Sequence, residues 1–204
     1  MPNYTDLDFT EQEQQTIDAA WVEDKLAWSS EAMMPIRAKI RNLHRVIQGD
    51  MCCYCRKHFQ QDHSLAVDVE HVLPQATFRS IAIAPVNMSV ACKRCNLSIK
   101  GEKYDFIFGA TVLDVLEHLE ASASYEIVHP NLDSYADHIE VAVVRIPGLV
   151  FHRYRALADS PKANKTIDFF RLRDLEVDEL DAAQGIPGAE GEHRSAKIRA
   201  LLEI

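Results

Sequence analysis

Four polar residues near the middle of the chain have the side chains that hydrolysis of a phosphodiester bond requires. Glu70 and His71 are adjacent, and Asn87 and Asn96 follow them. His71 is the candidate general base, because an imidazole titrates near neutral pH. The Glu70 carboxylate and the Asn96 amide are oxygen ligands that suit Mg²⁺ or Mn²⁺, and such a cation would stabilise the transition-state charge. Asn87 is predicted to bridge backbone groups and so to keep His71 aimed.

Two further residues are candidates for the same chemistry. Lys100 could contact a substrate phosphate as a point charge, or it could be a solvated lysine at a helix end. Asp68 lies on the same strand face as Glu70 and is the second choice for the carboxylate metal ligand.

Two Cys-x-x-Cys pairs bracket these residues, and their four thiolates suit a tetrahedral structural zinc ion. Cys53 could in principle replace one ligand, but its position favours a buried or spare thiol. His58 and His63 are near enough to be ligands, although a complete set of four thiolates makes them unnecessary. A purely structural zinc knuckle without catalysis is the alternative interpretation. The predicted zinc ligands are Cys52, Cys55, Cys92 and Cys95.

The bulk composition is that of a globular protein. With 204 residues, 47% of them hydrophobic, the chain can bury one good core and a small appendage. No apolar run is long enough to span a bilayer, and the first residues do not resemble a secretory signal. Cysteines with metal spacing indicate a reducing compartment. The sequence therefore predicts a cytoplasmic protein with no membrane segment.

The formal net charge of −9 requires any nucleic-acid site to concentrate its cations locally. The acidic residues are concentrated at 117–126, 133–140 and 174–181. Ordinary solvated helix faces would give a similar pattern, but the segregation favours a basic cleft in an acidic body. The basic residues form two clusters beside the cysteine pairs, which are Arg37, Lys39, Arg41, Arg45, Arg56 and Lys57, and then Lys93, Arg94, Lys100 and Lys103.

The secondary-structure elements around the motif are predicted from the spacing of the hydrophobic residues and from the Gly, Pro and capping residues that begin or end an element. Helices are expected at 10–31, where Thr10 caps and Trp21 and Trp28 face the core, and at 35–47, which Pro35 opens. Residues 56–71 should form a hairpin that turns at 60–63, and a loop should follow to residue 86. A short helix at 93–100 should end at Gly101.

The C-terminal half is predicted to be mixed. Helices are expected at 111–122 and 166–172, and strands at 139–146 and 149–154, joined by a turn at Pro147-Gly148. Residues 185–191 look like a linker before a basic tail helix. The predicted division is a helical extension at 1–49, a zinc-containing core at 50–104 and a mixed α/β extension at 105–204.

The motif residues of segment 50–104 resemble the HNH (ββα-metal) endonuclease family in its zinc-clamped, His-Asn-Asn form. The resemblance implies an α+β protein with a treble-clef-like ββα core. It also implies the same roles: His71 as general base, Glu70 and Asn96 as ligands of the catalytic metal, and Asn87 as the structural asparagine. One departure is that Glu70 stands where the family often has Asp.

A narrower resemblance is carried by three phrases. Residues 70–75, residues 129–131 with 135–139, and residues 166–172 are similar to those of PtuB-like HNH nucleases of bacterial anti-phage defence, in Septu and some retron systems. Those proteins act beside an ATPase of the ABC/SMC type. The resemblance implies that an ATPase partner docks on the acidic flanks and gates the activity.

The sequence therefore predicts a metal-dependent HNH endonuclease that cuts DNA, with structural Zn²⁺ and catalytic Mg²⁺ or Mn²⁺. Two alternatives stay open. One is a non-catalytic zinc module that binds nucleic acid, which would bind without magnesium and never cut. The other is a silent interaction subunit of an ATPase complex, which a neighbouring ATPase gene would favour.

Overall fold

The computed structural model describes residues 2–59, 67–108, 112–146, 149–157 and 160–176. Its elements are helices and small antiparallel sheets, which confirms the predicted mixed α+β class. The chain divides into two compact units, which are residues 1–135 and 136–204. The three-part division at residues 49 and 104 stays a prediction. No helix in the described segments is both long and apolar enough to cross a membrane.

The first helix is shorter than predicted. Helix α1 spans Glu11–Ala19, and the Thr10 hydroxyl and the Glu13 carboxylate cap its start reciprocally. The chain then forms a hairpin of β1, Trp21–Val22, and β2, Lys25–Leu26, so the prediction of a helix to residue 31 is wrong. Its two turn residues have φ of 47° and 60°, the left-handed pair that a tight hairpin requires.

The second helix agrees with its prediction. Helix α2 spans Met34–Ile47, and Pro35 lies in its first turn. Ile36, Ile40 and His44 recur at helical spacing and are buried. Ile36 and Ile40 belong to a core that also contains Val69 and Met88. Helix α2 therefore packs on the strands that carry the motif.

The motif strands pair differently from the prediction. Strand β3 is Val67–His71 and strand β4 is Met88–Cys92, and they are antiparallel with His71 opposite Met88. Residues 56–59 form no strand with β3, and only an isolated bridge joins His58 to Met51. The predicted turn at 60–63 lies outside the described residues. Strands that are distant in sequence can pair, and the prediction that β3 pairs with the segment directly before it is wrong.

A π-helix, Arg94–Lys100, follows β4 and confirms the helix predicted at 93–100. Gly101 ends it with a φ of 51°, and its N–H donates to the Asn96 carbonyl over 2.7 Å. Single turns with this wider hydrogen-bond pattern are frequent at functional sites. Two antiparallel strands and a helix therefore carry the predicted motif.

The remaining described elements position the site less directly. Helix α3, Val112–Glu117, is shorter than the helix predicted at 111–122, and a turn at residues 118–120 follows it. Short 3-10 helices lie at Tyr4–Asp6, Arg79–Ile81, Pro85–Asn87, Ser122–Ser124, Tyr135–Asp137 and Leu172–Glu176.

The second unit contains one hairpin and one α-helix among its described residues. Strands β5, Ile139–Ile146, and β6, Leu149–Ala156, confirm the predicted pair. Helix α4 is Pro161–Phe169, so the helix predicted at 166–172 is displaced toward the N-terminus, because Ser160 caps it and Pro161 opens it. The predicted turn at 147–148 and the segments at 185–202 lie outside the described residues.

Candidate functional site

Four cysteine sulfurs meet in one buried cluster. The Sγ atoms of Cys52, Cys55, Cys92 and Cys95 all lie within 4.8 Å of one another, and those of Cys55 and Cys92 are 3.8 Å apart. A Zn–S distance of about 2.3 Å places the sulfurs of a tetrahedral site about 3.8 Å apart, so the cluster has the dimensions of a zinc site. The structure confirms that these cysteines could hold a structural zinc ion.

Local backbone geometry aims the sulfurs at one point. The Arg56 N–H donates to the Cys52 carbonyl over 3.0 Å, and Arg56 has a φ of 58°, which closes the turn of the first pair. Cys92 ends β4 and Cys95 is the second residue of the π-helix, so the second pair spans a strand–helix junction. The Cys92 N–H also donates to the Cys52 sulfur over 3.4 Å, a contact that favours a thiolate.

The other sulfur and imidazole candidates are not part of this cluster. Cys53 is buried but is absent from the group of four, as predicted. Burial raises the pKa of its thiol well above the ordinary value, so it stays protonated. His58 is not in the cluster either, and His63 lies outside the described residues.

His71 ends β3 and is only 8% exposed. Its ring packs edge-on against Trp28, with ring centroids 4.7 Å apart. Burial lowers the pKa of His71 to about 4, the Lys100 charge adds to this shift, and a hydrogen bond to the Ala82 backbone opposes it. Nε2 has no partner among the described residues, so the Ala82 bond falls to Nδ1. The imidazole is therefore neutral near pH 7, with Nε2 free to accept a proton.

The Asn87 side chain lies among the backbone groups of the loop that follows His71. Its Oδ1 accepts from the Leu73 N–H over 2.7 Å, and its Nδ2 donates to the carbonyls of Leu73 and Ile81 over 3.1 and 3.2 Å. The Asn87 carbonyl accepts from the Val72 N–H over 2.9 Å. This is the bridging geometry expected of a residue that fixes the path of the chain directly after His71.

Glu70 faces the interior and pairs with a buried lysine. The carboxylate is 0% exposed, and its Oε1 accepts from the Tyr54 hydroxyl over 2.9 Å and lies 3.2 Å from the Lys100 ammonium. Burial raises the pKa of Glu70 to about 7, although the Lys100 charge and the Tyr54 hydrogen bond both lower it. Lys100 is 2% exposed, so it is not a solvated lysine at a helix end.

A cleft of about 520 Å³ brings His71, Asn96 and Lys100 together. Its walls also include Arg37 and Arg41, which lie one turn apart on α2, in the segment that precedes the predicted zinc-containing core. Glu70 and Asn87 are not part of the cleft wall. Other residues that line the cleft are Trp28, Asp68, Gln75 and Glu102.

The two cleft arginines differ from the other cations of α2. The Lys39 ammonium lies 2.7 Å from the Glu13 carboxylate, and Arg45 Nε lies 2.5 Å from that of Asp50. Of the four predicted basic residues on α2, Arg37 and Arg41 therefore line the cleft, whereas intramolecular acids neutralise Lys39 and Arg45.

The sequence analysis missed two side chains that clamp β4. Gln48, at the end of α2, accepts from the Ser89 hydroxyl and the Val90 N–H over 2.8 and 3.0 Å. Asn131 donates to the carbonyls of Val86 and Met88 over 2.8 and 2.7 Å. The phrase His-Pro-Asn marked Asn131 in the sequence, whereas a lone glutamine at a helix end gives no signal.

A second metal centre is not shown. Among the described residues, the four cysteines are the one group of at least three Cys, His, Asp or Glu side chains that could hold an ion. No protein-family model, curated protein or solved structure matches this chain. The site is therefore characterised by its own geometry: a zinc-sized thiol cluster and, in the same unit, a cleft whose wall contains a neutral imidazole, an amide and two arginines.

Proposed function

We propose that this protein is a metal-dependent endonuclease of the HNH type that hydrolyses phosphodiester bonds in DNA. The observation that carries the proposal is the state of His71. A nearly buried imidazole is kept neutral, with its Nε2 unpartnered, on the wall of a cleft that two arginines also line. A general base must be unprotonated and must reach the water that it activates.

The chain's own residues would divide the work as follows. His71 Nε2 takes a proton from the attacking water, while the Ala82 backbone holds the ring through Nδ1. Asn87 fixes the loop on which that carbonyl lies, through the backbone of Leu73 and Ile81. Asn96 offers an amide oxygen at the cleft wall. A bound Mg²⁺ or Mn²⁺ would stabilise the charge on the phosphate and on the leaving 3′-oxygen.

Binding of DNA would depend on the cleft arginines. Arg37 Nη1 donates to the carbonyls of Trp28 and Ser30, which fixes the loop that carries Trp28 beside His71. Arg41 Nε is buried and has no partner among the described residues, so a phosphate oxygen would satisfy it. Such contacts position a nucleic-acid backbone without reading its sequence.

The cellular role that we propose is anti-phage defence together with an ATPase of the ABC/SMC type. The similarity of residues 70–75, and of residues 129–131 with 135–139, to PtuB-like nucleases supports it, and so does the formal net charge of −9, which favours a protein partner in addition to DNA.

A supercoiled-plasmid assay tests the nuclease proposal. Purified zinc-loaded protein is incubated with EDTA, Mg²⁺ or Mn²⁺, and His71→Ala is compared with the matched exposed variant His118→Ala. We expect metal-dependent nicking that His71→Ala lowers by about 10²-fold or more, since general-base catalysis contributes that much. Zinc content and fold should be unchanged.

Nicking at the wild-type rate by His71→Ala would refute the assignment of the base. If the wild-type protein cuts nothing alone, the assay is repeated with the product of a neighbouring ATPase gene and ATP. Continued absence of cleavage there would favour the non-catalytic zinc module or the silent subunit.

A further inference from the structure

Three acceptor atoms on the cleft wall share one unusual property. Asp68 Oδ2, His71 Nε2 and Gln75 Oε1 are buried, and none has a hydrogen-bond partner among the described residues. All three residues line the cleft. A buried acceptor without a partner destabilises a fold, so three in one cleft indicate that a ligand or water belongs there.

Glu70 is placed differently from these three residues. Its carboxylate is 0% exposed and is not part of the cleft wall, and its Oε1 is shared by Tyr54 and Lys100. The buried Lys100 ammonium already neutralises it. Glu70 Oε2 is also buried and has no hydrogen-bond partner among the described residues, but Glu70 does not line the cleft, whereas Asp68 does. A cation in the cleft would therefore meet the Asp68 carboxylate directly.

We infer that Asp68, and not Glu70, supplies the carboxylate ligand of a divalent cation in the cleft, with Gln75 and Asn96 adding amide oxygens. This inference rests on the proposed function, because it places the cation beside the candidate base. A carboxylate with two amide oxygens is a hard donor set that suits Mg²⁺ or Mn²⁺, whose remaining positions would be filled by water and phosphate oxygens.

The three donors come from three neighbouring segments of unit 1. Asp68 lies on β3, Gln75 lies on the loop that follows His71, and Asn96 lies in the first turn of the π-helix. Glu70 then has a positioning role, because it joins the π-helix, through Lys100, to the cysteine turn, through Tyr54.

Terbium luminescence tests the assignment without nucleic acid. Tb³⁺ binds hard oxygen sites and emits when an excited tryptophan lies close, and Trp28 lines the cleft. The chain has two tryptophans, so Trp21→Phe leaves Trp28 as the only tryptophan, which excitation at the red edge of the tryptophan band selects over the tyrosines. We expect saturable emission from the zinc-loaded Trp21→Phe protein that Mn²⁺ displaces. Because Asp68→Asn removes a direct ligand, it should lower the affinity for both Tb³⁺ and Mn²⁺ by at least about tenfold.

Two further variants control the measurement. Asp105→Asn removes an exposed carboxylate that is not on the cleft wall, and it should bind as the parent protein does. Glu70→Gln alone would leave Lys100 buried and unpaired, so it is combined with Lys100→Met to keep the packing neutral. Because Glu70 positions the π-helix but does not touch the cation in this scheme, the double variant should lose less affinity than Asp68→Asn.

The outcomes separate clearly. Unchanged affinity in Asp68→Asn, or no saturable emission from the parent protein, would overturn the inference. A loss confined to the double variant would return the ligand role to Glu70. A protein that binds Mn²⁺ through Asp68 but never nicks DNA would refute the proposed function alone, whereas a nuclease with unchanged binding in Asp68→Asn would refute the inference alone.

Discussion

His71 shows how burial changes a residue that the sequence marks only as an imidazole. The sequence predicts a base that titrates near neutral pH, but burial and the Lys100 charge lower the pKa of His71 to about 4. The ring is therefore a weaker base than a solvated histidine and is almost fully unprotonated at pH 7. The fold therefore keeps His71 unprotonated and available as a base at pH 7, but it does not make His71 a stronger base.

The pH dependence of nicking follows from this shift. Protonation of His71 removes the base, so the rate should fall only as pH drops toward about 4, well below the ordinary histidine value. Initial nicking rates between pH 4 and 8, at saturating Mg²⁺, measure the acid limb.

An acid limb at about 6.5 would contradict the buried, neutral state of the ring. The Glu70 carboxyl, whose pKa burial raises to about 7, would give a limb in the same range, but that limb should vanish in the Glu70→Gln, Lys100→Met double variant, whereas a limb that belongs to His71 should remain.

His44 is the clearest stability liability among the described residues. It is 0% exposed, both ring nitrogens lack a described partner, and burial lowers its pKa to about 4. Between that value and the unfolded value of about 6.5, the unfolded chain binds more protons, so the free energy of unfolding falls as pH falls through this window.

We therefore expect His44→Leu to be as stable as the wild type at pH 7, or more stable by about 1 kcal/mol, because it removes buried unpaired groups. At pH 4 the gain should reach the order of 3 kcal/mol. Urea denaturation at pH 7 and at pH 4 measures both values, and the exposed His118→Leu is the control. An identical loss of stability on acidification in wild type and His44→Leu would contradict the assignment.

At the scale of elements, helix α2 and the residues just before it form part of the cleft although they precede the motif. Trp28 packs on the core and on His71, and Arg37 and Arg41 reach the cleft from α2. The segment before the predicted zinc-containing core therefore supplies part of the cleft wall and is not an appendage to it.

Arg41 and Arg45 make a matched pair for testing this arrangement. They lie one turn apart on α2, but Arg41 lines the cleft whereas Arg45 is paired with Asp50. Arg41→Ala should weaken DNA binding in EDTA and lower the salt slope by about one counterion, while Arg45→Ala should leave both unchanged. Fluorescence anisotropy over a salt series measures the difference. Equal effects of the two variants would show that the cleft is not where DNA binds.

Local signals predicted several elements, and non-local contacts decided the others. The spacing of the cysteines predicted the four-cysteine cluster. Pro35 marked the start of α2, and Gly101 marked the end of the π-helix. The partner of β3 was wrong, because nothing local distinguishes residues 56–59 from β4. The burial of Lys100 could not be predicted either, since it depends on where Glu70 faces.

At the scale of the whole molecule, the cysteine cluster ties the chain together across a long loop. It joins the turn at Cys52 to the end of β4 at Cys92, and the hairpin strand β3 lies between them in sequence. Structural zinc contributes about 10–16 kcal/mol, which is comparable to the whole stability of a typical domain. The ion should therefore be required for the fold of the first unit.

Zinc removal tests that requirement, with a cysteine control that the chain itself offers. Cys95→Ser removes a ligand, whereas Cys53→Ser changes a buried neighbour outside the cluster. We expect strong chelation or Cys95→Ser to lower helical circular dichroism and to abolish nicking, and Cys53→Ser to keep both. Full retention of structure in zinc-free protein would show that the ion is dispensable.

The Tyr54 hydroxyl gives the thiol cluster a second consequence. Tyr54 lies inside the first Cys-x-x-Cys turn, and its hydroxyl reaches the carboxylate next to His71. If the chain binds both metals as proposed, a newly made chain without zinc would not fix this turn, and Glu70 and Lys100 would lose one of their anchors. Maturation would then have an order: zinc is loaded first, and only the zinc-loaded chain has a complete site for Mg²⁺ or Mn²⁺. For a cell that carries a DNA-cutting protein, zinc supply would then act as a safety step in its biogenesis.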